Sequence, residues 1–177
     1  MKLSTRSRYG TRMILDMAQH YNGKPVQLGE IAKRQNVSLK YLEQIIRPLK
    51  EAKFIKSFRG SKGGHMLNKS PQEITVGEVV ALLEGGTDLT RCAQDPETCE
   101  RVDNCVTRYL WVEAANAIFE RLSTITFADL IALEKKECKD KFLDYISSQE
   151  KTADDILLVR FELVPGGIRG GQSVDDS

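Results

Sequence analysis

The run from Leu28 to Leu67 leaves this chain the least freedom. Leu28, Ile31 and Ala32 recur at helical spacing over eight residues ending at Gln35. Gln35-Asn36-Val37 then leaves room only for a tight turn, and Asn36 tolerates the left-handed backbone such a turn uses. Ser38 can cap a following helix, its oxygen available to the amide of Lys40 or Tyr41. Leu42, Ile45, Ile46 and Leu49 give that helix an inner face. Pro48 lies inside it and is expected to weaken or kink its last turn. Two short alternating runs come next, Phe54 to Phe58 and His65 to Leu67. They flank the tip Arg59-Gly60-Ser61-Lys62-Gly63-Gly64, a β-hairpin pattern. Helix, tight turn, helix and hairpin together predict a mainly α fold, a winged helix-turn-helix with a small β wing.

The residues left outside carry the chemistry. Ser38, Lys40, Tyr41, Gln44 and Arg47 fall on the outer face of the second helix. In this arrangement the N-terminal residues of that helix meet base edges in the major groove. Gln44 can pair with adenine through two hydrogen bonds. Ser38 and Tyr41 can reach phosphates or base edges, and Lys40 supplies charge. Arg59 and Lys62 at the hairpin tip can reach a neighbouring minor groove. The bland alternative is a helical hairpin with a polar face. Charge weighs against it. Residues 1–70 hold 15 Lys/Arg and 4 Asp/Glu, a net of +11; residues 71–177 hold 11 and 21, a net of −10. An imbalance of that size predicts a polyanionic partner for the first part. Double-stranded DNA fits.

The flanking segments are helical. Tyr9, Met13, Ile14, Met17, Ala18 and Tyr21 give residues 4–21 a core-facing stripe, with Ser4, Thr5 or Ser7 as cap. Arg6, Arg8 and Arg12 near its start either meet phosphates or are simply solvated. Thr75-Val76-Gly77-Glu78 opens a fourth helix as a capping box, closed by Gly85-Gly86. Asp103 or Asn104 is expected to cap a long helix reaching about Ser123. Its seam of Trp111, Ala115, Ile118, Leu122 and Ile125 suits a partner helix, and so a homodimer. Thr126 with Asp129 caps a further helix carrying Leu130 and Leu133, extending toward Phe142 and Ile146. Ile156–Val164 has strand-like composition, and the Gly-rich end from Pro165 reads as disordered.

Between these helices lies Arg91 to Trp111, with three of the four cysteines: Cys92, Cys99 and Cys105. Asp95, Pro96, Glu97, Asp103 and Asn104 fill the gaps, so it reads as a polar loop. Three thiols on one short flexible segment can converge on one centre, as iron–sulfur ligation requires. Zinc competes, since three thiolates plus water or a carboxylate suit it too. The chain has no apolar run long enough for a bilayer and no apolar signal core, so it is expected to be cytoplasmic, without a membrane partner. In that compartment clustered thiols bind metal or sense redox state rather than form structural disulfides. No His/Asp/Ser constellation and no phosphate loop is present, so neither an enzyme nor a small-molecule substrate is expected. An electron carrier would not need the basic winged helix. The expected divisions are 1–84 for DNA binding, 85–104 for the cysteine loop, 105–137 for dimerisation and 138–177 for a charged extension.

The chain resembles the IscR-type iron–sulfur cluster regulators, within a wider group of winged-helix transcriptional repressors. The likeness rests on Leu3 with Arg8-Tyr9, on Ser38-Leu39-Lys40-Tyr41-Leu42-Glu43-Gln44, and on Arg59-Gly60 with Gly63-Gly64. It continues through Val76-Gly77-Glu78-Val79, Thr90-Arg91-Cys92, Cys105-Val106-Thr107 and Leu110-Trp111, covering about residues 1–135. The resemblance implies a homodimer binding operator DNA through Ser38, Lys40, Tyr41, Gln44 and Arg59. It also implies a cluster, [2Fe–2S], on Cys92, Cys99 and Cys105, with control of iron–sulfur biogenesis genes. One departure matters. The family's fourth ligand is a histidine at the position held here by Arg108, and a guanidinium has no lone pair for iron. Glu100, Asp103, Glu43 of the partner subunit, Cys138, His20 and His65 remain as candidates. The alternative within the same family is a regulator sensing thiol oxidation, nitric oxide or zinc without a cluster.

Overall fold

The computed structural model of the protein describes residues 3–135. Helix α1, Thr5–Gln19, starts at Ser4, whose hydroxyl accepts the Ser7 amide at 3.1 Å. It buries Met13, Ile14, Met17 and Ala18. Tyr21 lies past its end and is 47 % exposed, so the apolar stripe stops one turn earlier than the spacing predicts. Helix α2, Leu28–Gln35, ends on Asn36 in the left-handed conformation, φ 51° and ψ 52°. Helix α3, Leu39–Glu51, starts at Ser38, whose Oγ accepts the Tyr41 amide at 3.3 Å. It continues through Pro48: the Ala52 amide still reaches the Pro48 carbonyl at 2.9 Å, so the last turn forms despite the missing proline N–H.

The wing is β1, Ile55–Phe58, antiparallel to β2, Gly64–Leu67, with Ile55 opposite Leu67 and Phe58 opposite Gly64. Gly60 at its tip has φ +108°, a turn conformation that favours glycine. Val26 adds a rung from the other side, its amide and carbonyl both bonded to His65 at 2.9 and 2.8 Å. The wing therefore begins where the α1–α2 connection ends.

Helix α4, Val76–Glu84, carries the full capping box: Thr75 Oγ1 accepts the Glu78 amide, and the Glu78 carboxylate accepts the Thr75 amide. The segment after it is not the plain loop its composition predicts. It holds a four-residue helix α5, Arg91–Gln94, and single 3-10 turns at Pro96–Thr98 and Val102–Asn104. The second turn takes up Asp103 and Asn104, so Cys105 becomes the N-cap of α6, Val106–Ser123. Helix α7, Phe127–Lys135, starts at Thr126, which exchanges hydrogen bonds with Asp129 as its spacing predicts.

One core joins α1 to α4, the wing, α6 and α7, while α5 and the two 3-10 turns bury no residue. Met13, Ile14, Ile31, Leu42, Ile45, Leu49, Leu67, Ile74, Val79 and Phe127 are each at most 1 % exposed. Each contributes about 1.5–3 kcal/mol by leaving water. Phe119, Leu122 and Ile125 pack against this core from α6 and the turn after it. The lower half of the expected seam is thus satisfied within the chain. Higher up the seam Ala115 is buried while Trp111 is 43 % exposed, and Val106, Tyr109 and Leu110, outside the seam but beside Trp111, are 80, 59 and 58 % exposed. Close approach of α4 and α6 rests on Gly77, where a Cβ would stand 2.8 Å from the Ser123 amide nitrogen. Phe142, Ile146, Cys138 and the strand-like run 156–164 lie outside the described residues.

Candidate nucleic-acid interface and cysteine segment

Helix α3 offers its first turns to solvent. Ser38, Leu39, Lys40 and Gln44 are exposed, while Leu42, Ile45, Ile46 and Leu49 fix the helix on the core. Tyr41 is half-buried, its ring edge-on to Tyr9 of α1 at 5.9 Å and 88°. Leu39, 45 % exposed, is a residue that sequence reasoning passed over. An apolar side chain beside Ser38 and Lys40 suits the thymine methyl in the major groove. The signal lay in the sequence: Leu39 falls outside the stripe formed by Leu42, Ile45, Ile46 and Leu49. At the wing, Arg59 is exposed beside the tip glycine. Both predicted DNA-facing regions are therefore open to solvent.

Helix α2, which leads into α3, is tied to α1 from behind. Asp16 of α1 is 1 % exposed, and Arg34 of α2 grips it with two bonds of 2.6 and 3.0 Å. Burial pushes the Asp16 carboxyl up, but the bonds from Arg34 and Gln35 and the Arg34 charge outweigh it and hold it below the usual carboxylate range. Gln35 donates to Asp16 at 2.9 Å. His20 is engaged at the same place, with Nδ1 2.7 Å from the Asp16 carbonyl oxygen. His65 is held in the wing, Nδ1 2.9 Å from Ser57 Oγ, and burial and then the Lys50 charge lower its pKa. Both histidines thus have work elsewhere in the fold.

The three cysteines are free and half-buried. Cys92 lies in α5, Cys99 follows the first 3-10 turn and Cys105 caps α6. Threonine hydroxyls attend two of them: Thr90 Oγ1 is 3.4 Å from Cys92 Sγ, and Thr107 Oγ1 is 3.2 Å from Cys105 Sγ. The Thr107 hydroxyl and then the Arg108 amide lower the Cys105 thiol, and the Arg101 charge adds to this. Arg108 donates from Nε to the Cys92 carbonyl at 3.1 Å. It ties the start of α6 to α5. Among the described residues, no three Cys, His, Asp or Glu side chains are gathered closely enough to hold a metal ion. The sulfurs are brought to one segment but not to one point. In kind the donor set fits an iron–sulfur cluster: three soft thiols with hydroxyls on the sulfurs and arginines nearby. Gathering them takes a rearrangement of the segment.

A helix-turn-helix with an open N-terminal face, a glycine-tipped wing and an appended cysteine segment define a winged-helix DNA-binding regulator. The chain belongs to the Rrf2 family: residues 3–133 match the family described as iron-dependent transcriptional regulator. It is 47 % identical over 131 residues to protein rrf2 of Nitratidesulfovibrio vulgaris, covering 74 % of this chain and 87 % of that protein. Among solved structures it is similar to IscR of T. potens: 35 % identical, TM-score 0.64, covering 81 % of this chain and 96 % of that one. It is also similar to CymR, the global cysteine regulator of B. subtilis: 34 % identical, TM-score 0.62, covering 75 % and 97 %. These relatives are transcriptional regulators, not enzymes. Among the described residues no helix is long and apolar enough to cross a membrane.

Proposed function

We propose that this regulator binds operator DNA as a homodimer and that an iron–sulfur cluster, of the [2Fe–2S] type, sets which operators it binds. Iron–sulfur biogenesis genes are the expected targets. Cys92, Cys99 and Cys105 would hold the cluster, with a fourth ligand from elsewhere. Ser38, Lys40, Tyr41, Gln44 and Arg59 would meet the DNA. Cys105 carries the reading furthest: its thiol is lowered by Thr107 and Arg108, and it caps α6, so a charge bound there acts at a helix N-terminus. The open upper face of α6, from Val106 to Trp111, supports pairing with a second copy.

When bound, the cluster supplies a redox-active anionic centre whose presence or charge can change. The chain's own contribution is mechanical. Arg108 joins α6 to α5 through the Cys92 carbonyl, and α6 packs on α4, which packs on α1. Redrawing the cysteine segment would therefore press on the winged helix through helices already in contact. The direct check is anaerobic purification of the full chain, with iron and acid-labile sulfide assays and a visible spectrum. Coloured protein with iron and sulfide in equal amounts is expected. Its colour should be lost on changing Cys92, Cys99 or Cys105 to Ala. A colourless protein holding only zinc defeats the cluster reading.

A further inference from the structure

Arg12 is a surface cation on the basic α1, where a phosphate contact is the ordinary assumption. Its guanidinium is already engaged. Nε donates to Gln35 Oε1 at 3.0 Å, Nη2 donates to the Gln35 carbonyl at 2.9 Å, and the group lies over the Tyr9 ring at 5.3 Å. Gln35 is the last residue of α2, one step before the left-handed Asn36 that turns the chain toward α3. Its side-chain amide donates to buried Asp16, which Arg34 grips with two bonds. On the other flank, Tyr9 meets Tyr41 edge to face in the first turns of α3.

We infer that Arg12 is a positioning residue for the recognition helix, clamping the end of α2 to the start of α3 through Gln35 on one side and Tyr9–Tyr41 on the other. The inference rests on α3 being the DNA-reading helix. A planar guanidinium suits the place because it offers two parallel donors at fixed spacing and a face that stacks on an aromatic ring. A lysine would keep the charge and lose both. Two helices joined by a three-residue turn can rock about that turn. Bonds to the last carbonyl of α2 and stacking behind Tyr41 oppose the rocking. A misplacement of the helix on the order of 1 Å is enough to spoil two-point contacts to base edges.

The two roles for Arg12 separate in a salt titration. The probe is the duplex that the wild-type full chain enriches most strongly from a random-sequence library. Affinity is measured across roughly 50–200 mM salt, where each phosphate contact adds about one to the logarithmic slope. Arg12→Lys should lose tenfold or more in affinity for this duplex. Its salt slope should stay the same, and its affinity for an unrelated duplex should be unchanged. Wild-type affinity in Arg12→Lys, with Arg12→Ala lowering the slope by about one, identifies a phosphate contact and overturns the inference. Should Arg12→Lys lack a cooperative thermal transition, Tyr9→Leu leaves every hydrogen bond of Arg12 in place and must show the same loss, with Tyr9→Phe near wild type. Unchanged affinity in Tyr9→Leu overturns it. Failure of the wild type to enrich any duplex strikes the DNA reading itself, a different outcome from either.

Discussion

Single side chains in this protein are tuned by what packs behind them, and two of them make stability depend on pH. Asp16 titrates below its ordinary value in the fold because Arg34 and Gln35 bond its ionised form. A carboxyl lowered in this way contributes stability above about pH 4 and loses it as pH falls through the folded value. Asp16→Asn should cost about 1–3 kcal/mol at neutral pH, since the Arg34 charge loses its counter-charge. It should also flatten the acid limb of a stability curve. An unchanged limb in urea melts across that range contradicts this. His65 behaves oppositely to a paired histidine. Burial and then Lys50 lower its pKa, so the unfolded chain takes up the proton first. Stability should fall as pH drops through about 6.5, and His65→Gln should remove that drop in thermal melts. A slope that persists in His65→Gln assigns it to another group.

Among the elements, the crossing of α4 and α6 leaves no room for a side chain at Gly77. A methyl group at Gly77 would stand 2.8 Å from the Ser123 amide nitrogen and 2.9 Å from its Cα, and neither can rotate away. Gly77→Ala should therefore shift α6 and cost about 1–3 kcal/mol, read as a lower denaturation midpoint. A wild-type midpoint shows the joint to be looser than its packing implies. The sequence made the helix limits around Asn36 plain, because Ser38, Asn36 and the apolar stripe all point to the same boundaries. The capping pairs Thr75–Glu78 and Thr126–Asp129 were equally legible, since a cap is a local device three residues long. Helix α5 was not. Four residues are too few to show a period, and the polar composition that marks a loop also suits a string of short turns. The seam of α6 was half legible. Periodicity shows that Leu122 and Ile125 want covering, but not that the chain's own core covers them.

At the scale of the molecule, charge and topology say the same thing: a basic winged helix at one end of the sequence and an acidic remainder. The membership of a DNA-binding family was readable because α3, the wing tip and the cysteine spacing are each compact motifs. The cysteine centre was only partly readable. Spacing places three thiols within fourteen residues, but their approach depends on the turns between them, and among the described residues the three are not gathered. Arg108, which cannot ligate iron, gives that segment a fixed point through the Cys92 carbonyl. Likewise Arg12, for which the sequence left phosphate contact and solvation open, is bonded to Gln35 and lies over Tyr9.

The sharpest test compares the DNA that two proteins choose. The full chain, purified anaerobically, and a Cys92→Ala, Cys99→Ala, Cys105→Ala form are each used to enrich duplexes from the same random-sequence library. Control of operator choice by the cysteine segment predicts that the two enriched sets differ, or that affinity for a shared duplex changes tenfold or more, while both proteins melt cooperatively. Identical sets bound with identical affinity would leave a DNA-binding protein whose cysteines play no part in what it reads.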